Sequence, residues 1–552
     1  MVENSTELPA TLVTRRFSRL AEHRWILVLA SLVLGISVVV SLWPALSAPI
    51  AGDDRYWLIE TPAKFESSYL SVIAGTWEDA PAFMSAGRLT PFGTLARRLI
   101  GLAIFDFSRI TATSIVTVHG LAKFLLLIAG IVSCLTFLKV LRWRSSDDRL
   151  IGAGRGSLIV VGVALVALLA AGVQAHNQFR NGWISYPPLT YSTVTLIFLS
   201  AAATVASARR VADRKRGAVP LGLLVAIGLA ITLNWTYELN FLGVLLSLFA
   251  LFLFPLTPKS RVKDQRRGRL LVGGPLAGLA LAIFVLTRVL VSDACSGPLC
   301  YVGTTLSLGP QVFRTMFYNI ASSVPGSSRA QFLLDLESLD SSYLWTNASA
   351  GGLWIISVAL GASVWLIWRW VSARYQRSED EARAESTLLA MAGASAVAVG
   401  LGGALIMSLS LQAQDLIHAI GLPYRHTVLT WSALSLAVLL FARAIELLAR
   451  PLGALTTVTT FAVLVVVASA FTLPRNLVST QAYRNAPANR AIADIHWEVI
   501  TGDRNEGGDE RRCQSFQSAE ATINNPWLAE RLEPAADKVF LDIYGIPYCS
   551  TW

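Results

Sequence analysis

The stretch GDDRYWL, Gly52 to Leu58, sets two carboxylates side by side, Asp53 and Asp54, shortly past an apolar run that ends near Leu46. Pro49 and Gly52 stop a helix from continuing into the pair, so the sequence predicts an irregular segment there, beside the apolar layer. A carboxylate that is partly desolvated holds a proton more tightly, and a neighbouring acid adds to the effect. Such a group can act as general base toward a hydroxyl held within hydrogen-bond reach. The same pair would also simply mark the end of a helix in water.

Chemistry that develops negative charge needs cations beside it, and the sequence offers several. Arg88 stands in GRL, Arg180 in HNQFRNGWISYPP, Arg288 near the end of an apolar run, and Arg425 with His426 in GLPYRHTVL. An arginine grips phosphate oxygens bidentately, which lysine cannot. Each has a plainer role too: an arginine at the end of a span snorkels to lipid headgroups, and Arg88 has Glu78 and Asp79 in its own loop. His119 and Lys123 share a helix face at i, i+4 within an apolar run, where ionisable groups cost roughly 2.5 to 3.5 kcal/mol. They are expected to face a polar cavity or a partner, and Glu238 in NWTYELN is one candidate for that partner and for a substrate contact. An ion pair between helices with no chemical role meets the same need. Of the aromatic residues near these groups, Trp57 and Trp77 are expected to neighbour the site; interfacial belts place Trp and Tyr at this depth as well.

These residues need a scaffold, and composition defines it. Hydrophobic residues make up 54% of the 552 and charged residues 15%, too few charges for a soluble chain of this length. Apolar runs of about 20 residues recur, the length that crosses roughly 30 Å of hydrocarbon. Spans are expected at Trp25 to Leu46, Thr113 to Val140, Ser157 to Val173, Leu189 to Ala208, Val219 to Trp235 and Leu239 to Leu256. Five more follow at Leu270 to Val291, Leu353 to Val371, Leu388 to Leu409, Val428 to Leu448 and Leu452 to Leu473. The fold class is therefore an all-α polytopic membrane protein of about eleven spans. The first run follows TRRFSRLAEHR but is too long for a signal-peptide core and lacks a convincing cleavage site, so it is expected to stay as a signal anchor.

Every second connection is basic: Arg142 to Arg155, SARRVADRKRG, PKSRVKDQRRGR, RWVSARYQR, and Arg443 with Arg450. Basic short loops stay in the cytoplasm, which predicts residues 1–24 inside and the segment after Leu473 outside. The net charge of +10 is thus a topology signal and not a nucleic-acid footprint. Four of the five cysteines fall in segments expected outside, where disulfides form; the local pairs Cys295 with Cys300 and Cys513 with Cys549 are the simplest of three connectivities. Free thiols are the alternative. Long outer segments are expected at Ser47 to Ala112, with short helices lying in the interface, and at Ser292 to Gly352. The tail Pro474 to Trp552 is expected to form a small α/β appendage. No inverted repeat, phosphate-binding GxxxxGK[ST], GxSxG, HExxH or metal-spaced Cys/His cluster is present.

A first span, an acidic pair opening a long first outer loop, and a basic-inside chain of about eleven spans together resemble the GT-C superfamily of integral membrane glycosyltransferases. GDDRYWL, then Trp77, then GRLTPFGTLARRL from Gly87 look like the branch containing the bacterial O-antigen glucosyltransferase type. The resemblance implies a GT-C-like bundle in a bacterial inner membrane. It also implies transfer of a sugar from a polyprenyl-phosphate donor, on the extracytoplasmic side, to a cell-envelope glycan or lipid-linked acceptor. The base would be Asp53 or Asp54. Some members use DxD or ExD forms with a divalent metal, magnesium or manganese; this chain has an adjacent DD followed by Arg55. A transporter or flippase of a lipid-linked glycan is the alternative, motivated by His119 and Lys123 inside a span.

Overall fold

The computed structural model describes residues 24–52, 54–175, 181–295, 300, 305–327, 351–417, 419–422, 424–502, 508–522 and 526–550. Among the described residues ten helices are long and apolar enough to cross a membrane. They are α1 (Arg24–Leu46), α6 (Ile115–Val140), α7 (Arg155–Gly172), α8 (Pro187–Ala212), α9 (Ala218–Thr236), α11 (Val262–Ala294), α13 (Gly351–Arg374), α14 (Glu379–Ser408), α16 (Thr427–Leu448) and α17 (Pro451–Asn485). The expected span at Leu239 to Leu256 is α10 (Phe241–Leu253), whose 13 residues reach only about 20 Å as helix. Pro255 and Pro258 end it early, yet its chain still returns to the basic end, where the Thr257 carbonyl accepts from Arg144 at 3.1 Å.

The basic connections gather at one end of the bundle. A two-residue hairpin, β1 (Trp143–Arg144) with β2 (Leu150–Ile151), lies there. So do Arg209 donating to the Val140 carbonyl, the Gly154 N–H donating to Glu385, and the ion pair of Arg377 with Glu385 at 2.9 Å. One large apolar core joins α1, α6, α7, α8, α10, α13, α14, α16 and α17. Within it α14 presents Gly393, Ala396, Gly400 and Ala404 along one stripe, and Gly400 packs against Leu434 and Thr430 of α16. Small residues at such a stripe let two helices approach closely where no hydrophobic drive exists between them.

The opposite end carries the first loop and the C-terminal helices. The loop folds as α2 (Asp54–Phe65), α3 (Tyr69–Glu78), α4 (Ala80–Ser85) and α5 (Pro91–Thr111). Leu70, Ile73, Phe107 and Ile110 stay exposed on them, the apolar face expected of helices lying on a membrane surface. Also at this end are α12 (Gln311–Ser323) and α15 (Leu411–Leu416). Gly93 in α5 sits so close to the end of α9 that a Cβ would run into the Thr236 carbonyl oxygen. Gly93→Ala is therefore expected to lower stability by about 1 to 3 kcal/mol, read as a fall in the unfolding midpoint of the purified protein.

The tail differs from expectation in two ways. Instead of ending at Leu473, α17 runs through Pro474 to Asn485, because Thr472 donates to the Ala171 carbonyl and Asn476 holds both the Ala175 N–H (2.8 Å) and the Val173 carbonyl (2.6 Å). And the appendage is not α/β: its described residues form α18 (Pro487–Thr501), α19 (Gly508–Thr522) and α20 (Pro526–Tyr544), with no strand among them. The segment KVFLDIY belongs to a helix because Leu532, Ala536, Val539, Phe540 and Ile543 recur at helical spacing and fill the core. Cys513 is bonded to Cys549, Cα to Cα 5.1 Å, and Cys295 to Cys300 at 5.4 Å; Cys134 is buried and free.

These helices share one apolar core with the first loop: Ile492, Ile495 and Val499 of α18 and Phe540 of α20 pack with Tyr56, Ile59, Phe105 and Val118. Arg55 donates to Asn489 at 2.6 Å and to the Ile50 carbonyl at 3.1 Å, and Arg484 to the Ser47 carbonyl at 2.7 Å. His496 sets Nε2 3.0 Å from the Arg55 carbonyl, and burial pulls its pKa from 6.5 down to about 4. Folded His496 is thus neutral while the unfolded residue charges below about pH 6.5, so its contribution is present above that pH and is lost as pH falls toward 4, to the extent of about 3 kcal/mol. Protease cleavage of the C-terminal helices is expected to rise across that window, and His496→Gln to flatten the rise.

Candidate functional site

Asp54 is the first residue of α2, so the pair does not sit wholly on irregular chain as expected; the turn is made before it, by Gly52 at φ +64°. At a helix N-terminus the free N–H groups favour a negative side chain. The Asp54 carboxylate is buried, accepts the Tyr186 N–H at 2.8 Å, and lies 3.9 Å from His119 Nε2. Lys123 is fully buried within electrostatic reach of Asp54 and donates to the Ala45 carbonyl at 3.2 Å. His119 and Lys123 therefore meet Asp54, not Glu238. They occupy the first three turns of α6, at the first-loop end of the bundle and not its middle. Asp53 and Arg180 lie outside the described residues.

Tyr186 extends the site. It precedes Pro187 and Pro188 at the start of α8 and holds φ 58°, ψ 41°, a left-handed conformation that costs energy in a bulky residue. Its N–H faces Asp54 while its ring carries the Arg425 guanidinium at 4.5 Å. Arg425, Arg88 and Arg288 all act on the Glu238 carboxylate, and Arg88 reaches it at 3.6 Å. Arg88, Glu238, Tyr237 and Arg288 line a small cleft of about 40 Å³ between α9 and α11. Arg88 is released for this role because Asp79 is taken: Lys64 and Arg98 each bond it at 2.6 Å. Burial alone would raise the Asp79 carboxyl, but those two cations hold it below its ordinary value.

The other expected site residues fall around this row. His426 turns its Nε2 toward the Asn319 carbonyl at 3.3 Å, and burial pulls it from 6.5 down to about 4. Trp57 carries Arg97 over its ring at 3.9 Å, which covers one face. Trp77 joins Phe92 and Trp235 in an aromatic cluster on the Arg88 side, with ring centroids 5.7 and 6.5 Å away. Several buried polar atoms here have no hydrogen-bond partner among the described residues: Trp57 Nε1, His119 Nδ1, Tyr237 Oη and both amide atoms of Asn240. Buried polar groups are nearly always satisfied, so a concentration of orphans marks a place where a polar molecule can sit.

The described residues do not make a divalent-metal site. Magnesium and manganese want several oxygen ligands, whereas Asp54 faces a histidine and a lysine, and among the described residues no group of three or more His, Cys, Asp or Glu is placed to hold a metal. In the sequence Tyr186 and Tyr237 read as interfacial aromatics, and Asn240 does not stand out. The one local signal was the Tyr-Pro-Pro run, which marks a constrained helix start. A scan against protein-family models, a search of curated proteins and a search of solved structures each returned no match.

Proposed function

We propose that the chain is a membrane glycosyltransferase that moves a sugar from polyprenyl phosphate to an acceptor hydroxyl at the first-loop end of the bundle. The observation that carries this reading is a buried carboxylate, Asp54, joined through Tyr186 and Arg425 to a row of cations, Arg88 and Arg288. In the proposed step a first-loop aspartate takes the proton from the acceptor hydroxyl. The acceptor oxygen bonds to the anomeric carbon as the bond from that carbon to phosphate oxygen breaks. The departing lipid phosphate gains one negative charge, which the arginines stabilise. Lys123 lies within electrostatic reach of the carboxylate, and the C-terminal helices pack over the first loop.

On this reading the basic end faces the cytoplasm of a bacterial inner membrane, and the acceptor is a cell-envelope glycan or lipid-linked glycan. The arginine row gives the test. Arg88→Ala and Arg425→Ala are each expected to raise the concentration of polyprenyl-phosphate sugar needed for half-maximal transfer by about ten- to a hundredfold, the loss of a charge-assisted hydrogen bond. Unchanged donor dependence in both variants would remove the phosphate from this row and the reading with it.

A further inference from the structure

At the basic end, α1, α13, α16 and α17 leave a cavity of about 610 Å³ that none of the chemistry above uses. Its volume falls within the roughly 300 to 1,000 Å³ of sites that hold small molecules. One wall is apolar, built by Ile26, Leu27 and Ala30 of α1, and the neighbouring α1 side chains Trp25 and Leu29 are exposed. The other wall carries three arginines, Arg369, Arg377 and Arg443. Two are neutralised by carboxylates, Arg443 by Glu446 and Arg377 by Glu385. Arg369 forms no ion pair among the described residues, and its Nε is buried with no hydrogen-bond partner. Trp365 and Trp370 stand beside it at the rim, the residue type that settles at headgroup level.

A cavity with a guanidinium, Arg369, that has no ion pair among the described residues, an aliphatic wall and two tryptophans in its lining complements a molecule with one phosphate and a hydrocarbon tail. We propose that it holds a single anionic glycerophospholipid of the leaflet facing the basic end, with the phosphate on Arg369 and an acyl chain along Ile26 and Leu27. A zwitterionic lipid fits less well, because its ammonium would be brought close to the Arg369 guanidinium. The site is independent of the proposed transfer chemistry, which lies at the other end of the bundle.

The test is lipid retention by the full-length chain, reconstituted with phosphatidylcholine alone or mixed with phosphatidylglycerol and measured by native mass spectrometry and by unfolding midpoint. The wild type is expected to retain one phosphatidylglycerol and to gain in midpoint. Arg369→Ala should weaken retention by about tenfold or more, equivalent to about 1.4 kcal/mol. Ala373→Trp, which narrows the exposed mouth without touching a cation, should do the same. Arg149→Ala, an exposed arginine at the same end that does not line the cavity, should leave retention intact. Equal retention of phosphatidylcholine, equal loss in Arg149→Ala, retention untouched by both cavity variants, or an equal midpoint gain from glycerol phosphate alone would each overturn the proposal.

Discussion

Asp54→Asn is expected to lower the rate of sugar transfer by about 10²- to 10⁴-fold, the range general-base catalysis supplies, while leaving the protein folded. Asparagine keeps the shape and an oxygen to accept the Tyr186 N–H. What it removes is the proton acceptor and the charge facing Lys123. Lys123 would then be a buried cation with less compensation, so the unfolding midpoint should also drop somewhat. Adding Lys123→Met should restore the midpoint without restoring transfer, which separates the chemical role from the structural one. Asp53→Asn in parallel shows which carboxylate is the base. Wild-type initial rates in both single variants would end the assignment of the base to this pair.

Arg443→Ala is expected to cost about 3 to 5 kcal/mol of stability, because it leaves a buried carboxylate without its counter-charge. Arg443 pairs with Glu446 and donates to Ser157 at 3.0 Å and Ser372 at 2.8 Å, drawing α7, α13 and α16 together at the basic end. Glu446 also accepts from Trp368 Nε1 at 2.5 Å, inside the main core. Replacing both partners, Arg443→Met with Glu446→Leu, should recover most of the loss, since an apolar pair of similar volume needs no compensation. The check is the unfolding midpoint in denaturant titration of the purified protein. A single alanine variant within about 0.5 kcal/mol of wild type would mean that the network holds nothing together.

The long helices were legible because span length and hydropathy are local properties: each apolar run states its own length, and the alternation of basic connections places its ends. Two departures came from information that is not local. Pro474 reads as a helix end, yet Thr472 and Asn476 anchor the chain on either side of it through contacts with α7. KVFLDIY reads as strand by composition, but its apolar spacing suits a helix packed on α18 and the first loop. At the candidate site, Asp54, Arg88, Arg425 and Glu238 stood out as charges in apolar surroundings. Their pairing did not, because His119 and Lys123 meet Asp54 only once α2 is folded against α6, and Arg88 meets Glu238 only once Asp79 has taken Lys64 and Arg98. The part of Tyr186 was not legible, because the Tyr-Pro-Pro run marks a constrained helix start but not that its N–H meets Asp54 and its ring Arg425.

His119 and Lys123 had also suggested transport, as ionisable groups inside a span. In the structure both lie near the first-loop end of α6 and face Asp54, so transport and transfer make different demands on the same cluster. The direct measurement is to supply the purified protein, in proteoliposomes, with a radiolabelled polyprenyl-phosphate sugar and a membrane glycan extract, and to follow where the label goes. Transfer would put label in a new glycosidic bond, with free polyprenyl phosphate released in equal amount and both abolished by substitution of the first-loop base. Donor that reaches the other leaflet intact, with no label in glycan, would contradict it.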